Sequence, residues 1–325
     1  MEQPSSVGPS RIDGEEIGTD QYRLSNLDGG CGWDAKNYSC AYDVVFMVFY
    51  GMYGLSSSTW RTCWRRESPL WNELLGNCFK TILGATAGGQ STPLQTSIMF
   101  SKHHDTFRTS LRASDPPSFP LGPVYASVVK ILERLRSQYF PIPNLYQDLA
   151  CTSCGARKDN ACVPLSFLSE PVQLNPLLRI DDPQPLPLQV ALSRLIETYN
   201  EEPHPQHRLC NVCKSPRKPK STLRFAEKAW TWFELSSGHQ SLLPSLELVP
   251  LAPVISRYTL QAIIYLGDLH FTARIRKEAN IWWSYDSQSR NGAPSLETIA
   301  TEERLRTFGK RLPAFLIYRR FDVND

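Results

Sequence analysis

The chain has 325 residues, a formal net charge of +3 at neutral pH and a hydrophobic fraction of 41%. A charge so close to balance gives no general attraction to nucleic acid or to an anionic membrane surface. The length suits one large domain or two ordinary ones, and eight tryptophans help to fill a sizeable core.

The N-terminal region differs in composition from the rest of the chain. Residues 1–27 are polar and rich in Gly, Ser and Glu, so we expect a disordered tail there. Neither a secretion signal nor a membrane-spanning run is found in the sequence, and we expect a cytoplasmic or nuclear protein without membrane contacts. In such a protein, nine cysteines favour metal ligands or reactive thiols over a disulfide framework.

Apolar residues at helical spacing predict four helices in the first two thirds of the chain. The first begins at Cys40 and runs through an apolar stretch that reaches Tyr53. The other three cover residues 69–83, 124–139 and 188–199. Residues 85–92 are predicted to be a flexible break. Residues 101–123 contain several prolines and no periodicity, so they are predicted to form a long loop.

After about Arg224 the pattern changes to segments rich in β-branched and aromatic residues, which are typical of strands. Four strands are predicted, over residues 258–266, 269–276, 281–286 and 313–320. Gly267 and Asp268 form a hairpin-turn signal between the first two. Helices followed by an antiparallel sheet predict an α+β fold.

Cys40 is a candidate nucleophile because of its place at the start of a buried helix. The partial positive charge at a helix N-terminus favours thiolate over thiol, and Asn37 or Ser39 is placed to cap the first turn. The alternative is a small buried cysteine that only fills the helix start.

A histidine and an aspartate stand on neighbouring predicted strands. His270 opens one strand and Asp286 ends the next, so an antiparallel pairing can bring them together. An aspartate fixes the tautomer of a histidine and stabilises its protonated form. A thiol hydrolase needs a cysteine, a histidine base and such an orienting group. A structural histidine is the alternative, and the presence of Cys40 favours the catalytic interpretation.

Two CxxC pairs predict a tetrahedral zinc site of the structural kind, with four thiolate ligands and no open position. The four ligands are Cys151, Cys154, Cys210 and Cys213. Three alternatives remain open from the sequence: two unrelated reduced pairs, replacement of one pair by His204 and His207, and a ligand role for Cys162. The basic run from Lys214 to Lys220 is interpreted as a solvated loop tip, with an acidic partner or nucleic acid as the weaker alternative.

Three blocks, taken together, resemble the ubiquitin-specific protease family of papain-like thiol isopeptidases. Residues 33–53 (WDAKNYSCAYDVVFMVFYGMY) are similar to its cysteine box, and closest to the variant of the SUMO-directed member, with Trp seven residues before the Cys. The CxxC pairs resemble its zinc-bearing fingers. Residues 258–286, with G-x-x-H-F-T-A and W-x-x-Y-D, are similar to its histidine box, and residues 315–318 resemble its closing strand.

The resemblance implies a papain-like domain over residues 28–325. A helical thumb would occupy residues 28–145, zinc-clipped β fingers residues 146–225, and an antiparallel β palm residues 226–325. It implies cleavage after the C-terminal Gly-Gly of ubiquitin or of a ubiquitin-like modifier. A SUMO-specific isopeptidase and an inactive modifier-binding module are the alternatives. A zinc-bearing nucleic-acid or scaffold protein would be supported only by the basic run.

The resemblance also implies roles for individual residues. Cys40 would be the nucleophile, His270 the base and then the acid, and Asp286 the group that orients His270. The family often has Asn five residues before its Cys, and this chain has Ala35 there, which leaves Asn37 as a substitute oxyanion donor. Trp282 or Trp283 would line the narrow channel for the Gly-Gly tail.

Overall fold

The computed structural model describes residues 29–87, 92–136, 144–164, 186–201, 203, 207–219, 224–225, 230–235, 242–248, 257–289 and 292–321. Within these ranges, helices dominate the first part of the chain and antiparallel strands the last. The predicted tail at residues 1–27 lies outside the described residues. The helices are α1 (Cys40–Leu55), α2 (Ser58–Glu67), α3 (Pro69–Ala87), α4 (Pro93–Ser114), α5 (Val128–Leu135) and α6 (Leu188–Glu201).

The first helix, α1, is the centre of the core. Every residue from Cys40 to Gly54 is buried, which agrees with the apolar run that predicted it. Aromatic side chains from the neighbouring helices surround it. The ring of Phe49 stacks on Trp64 of α2 at 5.9 Å, and the ring of Phe46 meets Phe79 of α3 edge-on at 5.1 Å. Such pairs add about 0.5–1.5 kcal/mol each beyond the area they bury.

The prediction of a long loop over residues 101–123 is wrong, because α4 occupies most of that range. Thr92 and Gln95 form a reciprocal capping box at its start, and a proline follows the cap. Phe100, Phe107 and Leu111 recur at helical spacing on its buried side. The prolines of the segment come only after Ser114, where the helix ends. Helix α2 was not predicted at all.

The boundaries of the other helices also differ from the prediction. Helix α3 continues to Ala87, through the start of the predicted flexible break over residues 85–92. The break's residues 88–91 lie outside the described residues. The helix predicted for residues 124–139 is shorter, from Val128 to Leu135, with Ser127 as its N-cap. Helix α6 agrees with the prediction to within two residues.

In the described ranges, the strands form two antiparallel sheets and one parallel pair of short strands. A seven-stranded sheet has the order β12-β11-β10-β9-β13-β6, with β8 paired to β9, and a four-stranded sheet has β1 between β2 and both β4 and β5. The strands are β1 (Asn144–Cys151), β2 (Arg157–Pro164), β3 (Leu186–Pro187), β4 (Arg217–Pro219), β5 (Arg224–Phe225), β6 (Trp230–Glu234), β7 (Leu242–Leu243), β8 (Glu247–Leu248), β9 (Arg257–Gly267), β10 (His270–Arg276), β11 (Ile281–Tyr285), β12 (Ser295–Thr298) and β13 (Leu312–Phe321).

The hairpin between β9 and β10 sets the position of His270. Its two-residue turn is Asp268-Leu269, one residue later than the Gly267-Asp268 turn that the sequence predicted. Both turn residues have left-handed backbone angles, with φ of +53° and +56°. Two left-handed residues make the turn type whose twist matches paired strands. His270 therefore pairs directly with Gly267 as the first residue of β10.

One face of the seven-stranded sheet packs against α1. Ala273 and Ile275 of β10 belong to the same core cluster as the apolar residues of α1. The approach is close, because a Cβ on Gly51 of α1 would lie 2.7 Å from Cγ2 of Ile275. This packing gives a mixed α+β fold in which β10 crosses the helix that begins at Cys40.

None of the helices in the described ranges combines the length and the apolar character that crossing a bilayer requires. The division into thumb, fingers and palm stays a prediction.

Candidate active site

Cys40 is the first residue of α1 and is 2% exposed. Ser39 precedes it, but the predicted side-chain cap is wrong, since the Ser39 hydroxyl accepts no hydrogen bond from a backbone N–H of the first turn. That hydroxyl accepts a hydrogen bond from the backbone N–H of Asp34 at 2.8 Å and donates one to Oδ2 of Asp43 at 2.8 Å. Ser39 therefore ties the segment before the helix to a carboxylate inside it.

Both the nitrogen and the oxygen of the Asn37 side-chain amide make hydrogen bonds. Its Nδ2 donates to Oδ2 of Asp34 at 2.5 Å, and its Oδ1 accepts the backbone N–H of Gly122 at 2.8 Å. These bonds fasten the segment before α1 to the segment that follows α4, and they leave no side-chain cap for the helix. One Nδ2 hydrogen is engaged, so the role of Asn37 as an oxyanion donor stays a prediction.

His270 and Asp286 form the pair that the strand order predicted. Nε2 of His270 lies 2.8 Å from Oδ1 of Asp286, and the His270 side chain is nearly fully buried. Residue Asp286 directly follows β11, whose Tyr285 is paired with Ala273 of β10. Asp286 therefore engages Nε2 of the two ring nitrogens.

Asp286 is itself held in place by two further groups. The backbone N–H of Gln288 donates to its Oδ1 at 3.0 Å, and Nη1 of Arg311 lies 3.8 Å from its Oδ2. Burial alone would raise the pKa of Asp286, but the hydrogen bond from His270, the Gln288 N–H and the charge of Arg311 together lower it. Asp286 is therefore ionised at neutral pH.

The start of β10 contacts the sulfur of Cys40. The backbone N–H of Phe271, the residue after His270, is close enough to this sulfur to lower the pKa of the thiol. Burial nevertheless raises the pKa of Cys40, and the charge of Asp43 adds to that effect, while the Phe271 N–H acts against it. The expected preference for thiolate at the helix start is therefore wrong for the isolated thiol, because desolvation outweighs the helix N-terminus.

The segment before α1 is bonded to the loop that carries Asp286. The backbone N–H of Trp33 donates to the carbonyl of Ser287 at 3.0 Å. Backbones also pass closely here, because a Cβ on Gly30 would lie 1.9 Å from the carbonyl oxygen of Gly292. Gly292 has φ of +76°, which suits glycine. These contacts fix Cys40 and Asp286 relative to each other.

Trp282 and Trp283 do not line an open channel. Both side chains are 1% exposed, and they point to opposite faces of β11. Trp283 belongs to the core that contains α1. The predicted substrate-binding role of these two residues is wrong for the conformation seen here, because both indoles are used in packing.

The two CxxC pairs come together as predicted. Their four Sγ atoms all lie within 4.8 Å of one another, with separations of 3.4, 3.5 and 3.8 Å for three of the pairs. Tetrahedral zinc with bonds of about 2.3 Å requires sulfur separations of about 3.8 Å. The donor set therefore fits a metal ion, and the residues are Cys151, Cys154, Cys210 and Cys213.

Each CxxC turn has the backbone geometry of a metal knuckle. Gly155 and Lys214, which follow the second cysteine of each pair, have φ of +68° and +60°. The N–H groups of Ser153 and Cys154 point at the sulfur of Cys151 at 3.4 and 3.5 Å. In the other turn, the N–H groups of Cys213 and Val212 lower the pKa of the Cys210 thiol to about 6. Such donors favour thiolates, the form that binds metal.

Among the alternative ligands, His207 is described by the structure and is not part of this cluster. Nδ1 of His207 lies 3.0 Å from Nζ of Lys158, and His204 is outside the described residues. Cys162 lies on β2 opposite Tyr146, and its side chain is outside the described part of the chain. The basic run is not a simple loop tip, because Arg217–Pro219 forms β4 and pairs with β1.

Sequence reasoning missed three charged residues around the site. Asp43 lies one turn after Cys40 and pairs with His104 of α4, while Arg311 faces Asp286. The capping box at Thr92 was a signal for α4 and so for the buried side of His104. No local sequence pattern predicts the position of Arg311. This residue lies in the turn before β13, and that turn packs against Gly267 at the end of β9.

Comparisons with known proteins give a distant similarity to solved structures. No protein-family model matches the chain, and no curated protein matches it. Among solved structures, the chain is similar to the catalytic unit of Neurospora crassa Pan2, described as a protease and nuclease domain, with 12% sequence identity and a TM-score of 0.43. The similarity covers 89% of this chain and 56% of that one, little more than half its length. A similarity this low does not establish a fold family or an activity.

Proposed function

We propose that this protein is a thiol isopeptidase of papain-like fold that removes ubiquitin or a ubiquitin-like modifier by cleaving after its C-terminal Gly-Gly. The observation that supports it best is the hydrogen bond of 2.8 Å between His270 and Asp286, next to a strand residue whose N–H contacts the sulfur of Cys40. The candidate nucleophile, the base and the group that orients the base thus come from three separate parts of the chain, and the strand that begins at His270 packs against the helix that begins at Cys40.

The roles follow from which atoms remain available. Nδ1 of His270 takes the thiol proton of Cys40, and the sulfur attacks the carbonyl carbon of the modifier's last glycine. The protonated ring then gives this proton to the departing lysine amine, which leaves a thioester on Cys40. Water, deprotonated by His270, attacks the thioester and releases the modifier's carboxylate. Asp286 stabilises the imidazolium in both halves of the reaction.

The oxyanion needs donors as the carbonyl oxygen becomes charged. The backbone N–H of Cys40, at the N-terminus of α1, supplies one. The second hydrogen of Asn37 Nδ2 is proposed as the other, since its first hydrogen is bound to Asp34. Loss of one such donor typically costs on the order of 10²–10³ in rate.

The metal in this proposal is a structural zinc ion. Four cysteine thiolates complete its coordination, so no position is left for water or substrate. The ion would clip the end of β1 to the turn before β4, both of which carry a CxxC pair. Its chemistry is confined to holding this part of the fold together.

The identity of the modifier is a further part of the proposal. Ubiquitin is the first candidate, because most of the family that the chain resembles acts on it. The tryptophan at position 33, seven residues before the nucleophile, favours SUMO as the second candidate.

A second function from a different class is favoured by the burial of Cys40. This thiol is 2% exposed and its pKa is raised, and Ala35 stands where the resembled family often has asparagine. A modifier-binding module without catalysis would tolerate all three features. The complete set of Cys40, His270 and Asp286 favours the enzyme.

A cleavage assay separates the two functions. Ubiquitin and SUMO, each with a fluorogenic amide at the C-terminal glycine, are incubated with the wild-type chain, with Cys40→Ala and with Cys63→Ala. Cys63 is a half-buried thiol of α2 and serves as the matched control. We expect release of the fluorophore by wild type and Cys63→Ala only. Binding of a modifier with Kd unchanged in Cys40→Ala, without release by any form, would instead support the binding module.

A further inference from the structure

A second buried acid–histidine pair lies one helical turn from Cys40. Oδ1 of Asp43 is 3.0 Å from Nε2 of His104, so the pair joins α1 to α4. Asp43 is 0% exposed and His104 is 4% exposed. The other oxygen of Asp43 accepts the hydroxyl of Ser39, the residue next to Cys40. The proposed reaction uses neither Asp43 nor His104.

The negative charge of Asp43 has two opposite effects at this place. A carboxylate in the first turn stabilises a helix, because it faces the positive end of the backbone dipoles. The same carboxylate is three residues from Cys40, on the neighbouring position of the helix surface, and it opposes formation of a thiolate there. A positive charge close to Asp43 would cancel its effect on the Cys40 thiolate and would leave the carboxylate in place at the start of the helix.

His104 is placed to supply that charge. Burial of its ring lowers its pKa, but the carboxylates of Asp105 and Asp43 outweigh burial and Arg108, so the pKa is raised. The raised pKa favours the protonated ring, whose pair with Asp43 is close to neutral. The ring of Phe46 packs edge-on against it at 5.6 Å.

The other groups around the pair come from three parts of the molecule. On α4 itself, Asp105 lies 3.8 Å from Nδ1 of His104, and Arg108 bridges Asp105 and Asp34 at 3.8 and 3.7 Å. From the segment before α1 comes Cys31, and from β11 comes Tyr285. The pKa values of the Cys31 thiol and the Tyr285 hydroxyl are raised by burial, so both stay uncharged near neutral pH.

We propose that His104 is a positioning residue for Cys40, which acts through Asp43 by cancelling its charge beside the nucleophile. The inference rests on the proposed role of Cys40. It extends that role, because it makes helix α4 part of the machinery that controls the reactivity of the thiol.

The test measures the reactivity of Cys40 without a modifier. Full-length protein is alkylated with iodoacetamide at pH 7, and the rate is read by mass spectrometry of the peptide that contains Cys40. His104→Gln should slow alkylation about tenfold, which corresponds to about one pKa unit. Addition of Asp43→Asn to this variant should restore the rate to within about twofold of wild type. His103→Gln makes the same change at the preceding position of α4 and should leave the rate unchanged.

The double variant distinguishes charge from packing. If the pair only supported the fold, removal of both groups would do at least as much damage as removal of one. An alkylation rate in His104→Gln equal to wild type, or a double variant as slow as His104→Gln, overturns the proposal.

A second measurement keeps the proposal testable if His104→Gln does not fold. Asp43→Asn alone should match wild type at pH 7, where His104 already balances Asp43. The ratio of its rate to the wild-type rate should rise several-fold from pH 7 to pH 9, because loss of the His104 proton in wild type leaves Asp43 unbalanced. Slower reaction than wild type at both pH values overturns the proposal. Because iodoacetamide needs no modifier, failure of modifier cleavage with these rates as expected would count against the proposed function alone.

Discussion

The hydroxyl of Tyr285 donates a hydrogen bond of 2.7 Å to the backbone carbonyl of Cys31, which lies 254 residues earlier in the chain. Both groups are fully buried. Tyr285 ends strand β11 and is followed by Asp286, whereas Cys31 belongs to the segment that leads to Cys40. This single bond therefore joins the two parts of the chain that carry the proposed nucleophile and the orienting carboxylate.

Replacement of Tyr285 by Phe should destabilise the fold by about 1–3 kcal/mol, because the carbonyl of Cys31 would be left buried without a donor. The free energy of unfolding in urea measures this change. Tyr125→Phe is the matched control, since this ring is half exposed and stacks on Tyr38 at 4.8 Å. The control should stay within about 0.5 kcal/mol of wild type. An equal decrease in the free energy of unfolding in both variants would contradict a stabilising role for the buried hydrogen bond.

Replacement of Asp286 by Asn should lower the rate of modifier cleavage by roughly 10²–10⁴-fold, with a smaller effect on KM, because His270 would lose the partner that orients it. Steady-state kinetics with the fluorogenic modifier give both constants. Asp268→Asn makes the same change at the exposed tip of the β9–β10 hairpin, where φ is +53° and asparagine is tolerated. A wild-type kcat in Asp286→Asn would remove Asp286 from the mechanism.

The sequence was most informative where chemistry depends on neighbouring strands. The hairpin signal and the positions of His270 and Asp286 were enough to predict their contact, and the spacing of the cysteines predicted the four-sulfur cluster. Burial was not predictable in the same way. The raised pKa of Cys40 and the packing of Trp282 and Trp283 depend on how the sheet meets α1, which no local pattern encodes.

The missed helix α4 shows a related difficulty. The middle of its sequence is polar and contains two adjacent histidines. The prolines after Ser114 therefore led to the prediction of a loop for the whole segment. The contact of His104 with Asp43 joins positions about sixty residues apart on two helices, and only the packed fold brings them together.

The His104–Asp43 pair should make stability depend on pH in a defined direction. The pKa of His104 is raised on folding, so the contribution of the pair is fully present below the ordinary histidine value of about 6.5 and is lost as pH rises through the folded value. The difference in unfolding free energy between wild type and His104→Gln should therefore shrink from pH 6 to pH 9 in urea titrations. A difference that grows with pH would contradict the raised pKa.

The four-cysteine cluster should bind about one zinc ion per chain, as measured by elemental analysis of the purified protein. Cys154→Ser should abolish this content after dialysis, because three thiolates and a hydroxyl hold zinc weakly. Cys63→Ser, at a cysteine of α2 outside the cluster, should keep it. Treatment of wild type with a strong chelator should lower the unfolding temperature. Full zinc content in Cys154→Ser would require a different ligand set.

The most direct measurement of the central claim uses ubiquitin and SUMO that end in a thiol-reactive warhead. Wild type, Cys40→Ala and Cys63→Ala are each incubated with both probes, and intact mass is recorded. The account predicts one covalent adduct with one of the probes in wild type and in Cys63→Ala, and none in Cys40→Ala. Folded, zinc-containing wild type that forms no adduct with either probe, or an adduct that persists in Cys40→Ala, would contradict the assignment of Cys40 as the nucleophile of an isopeptidase.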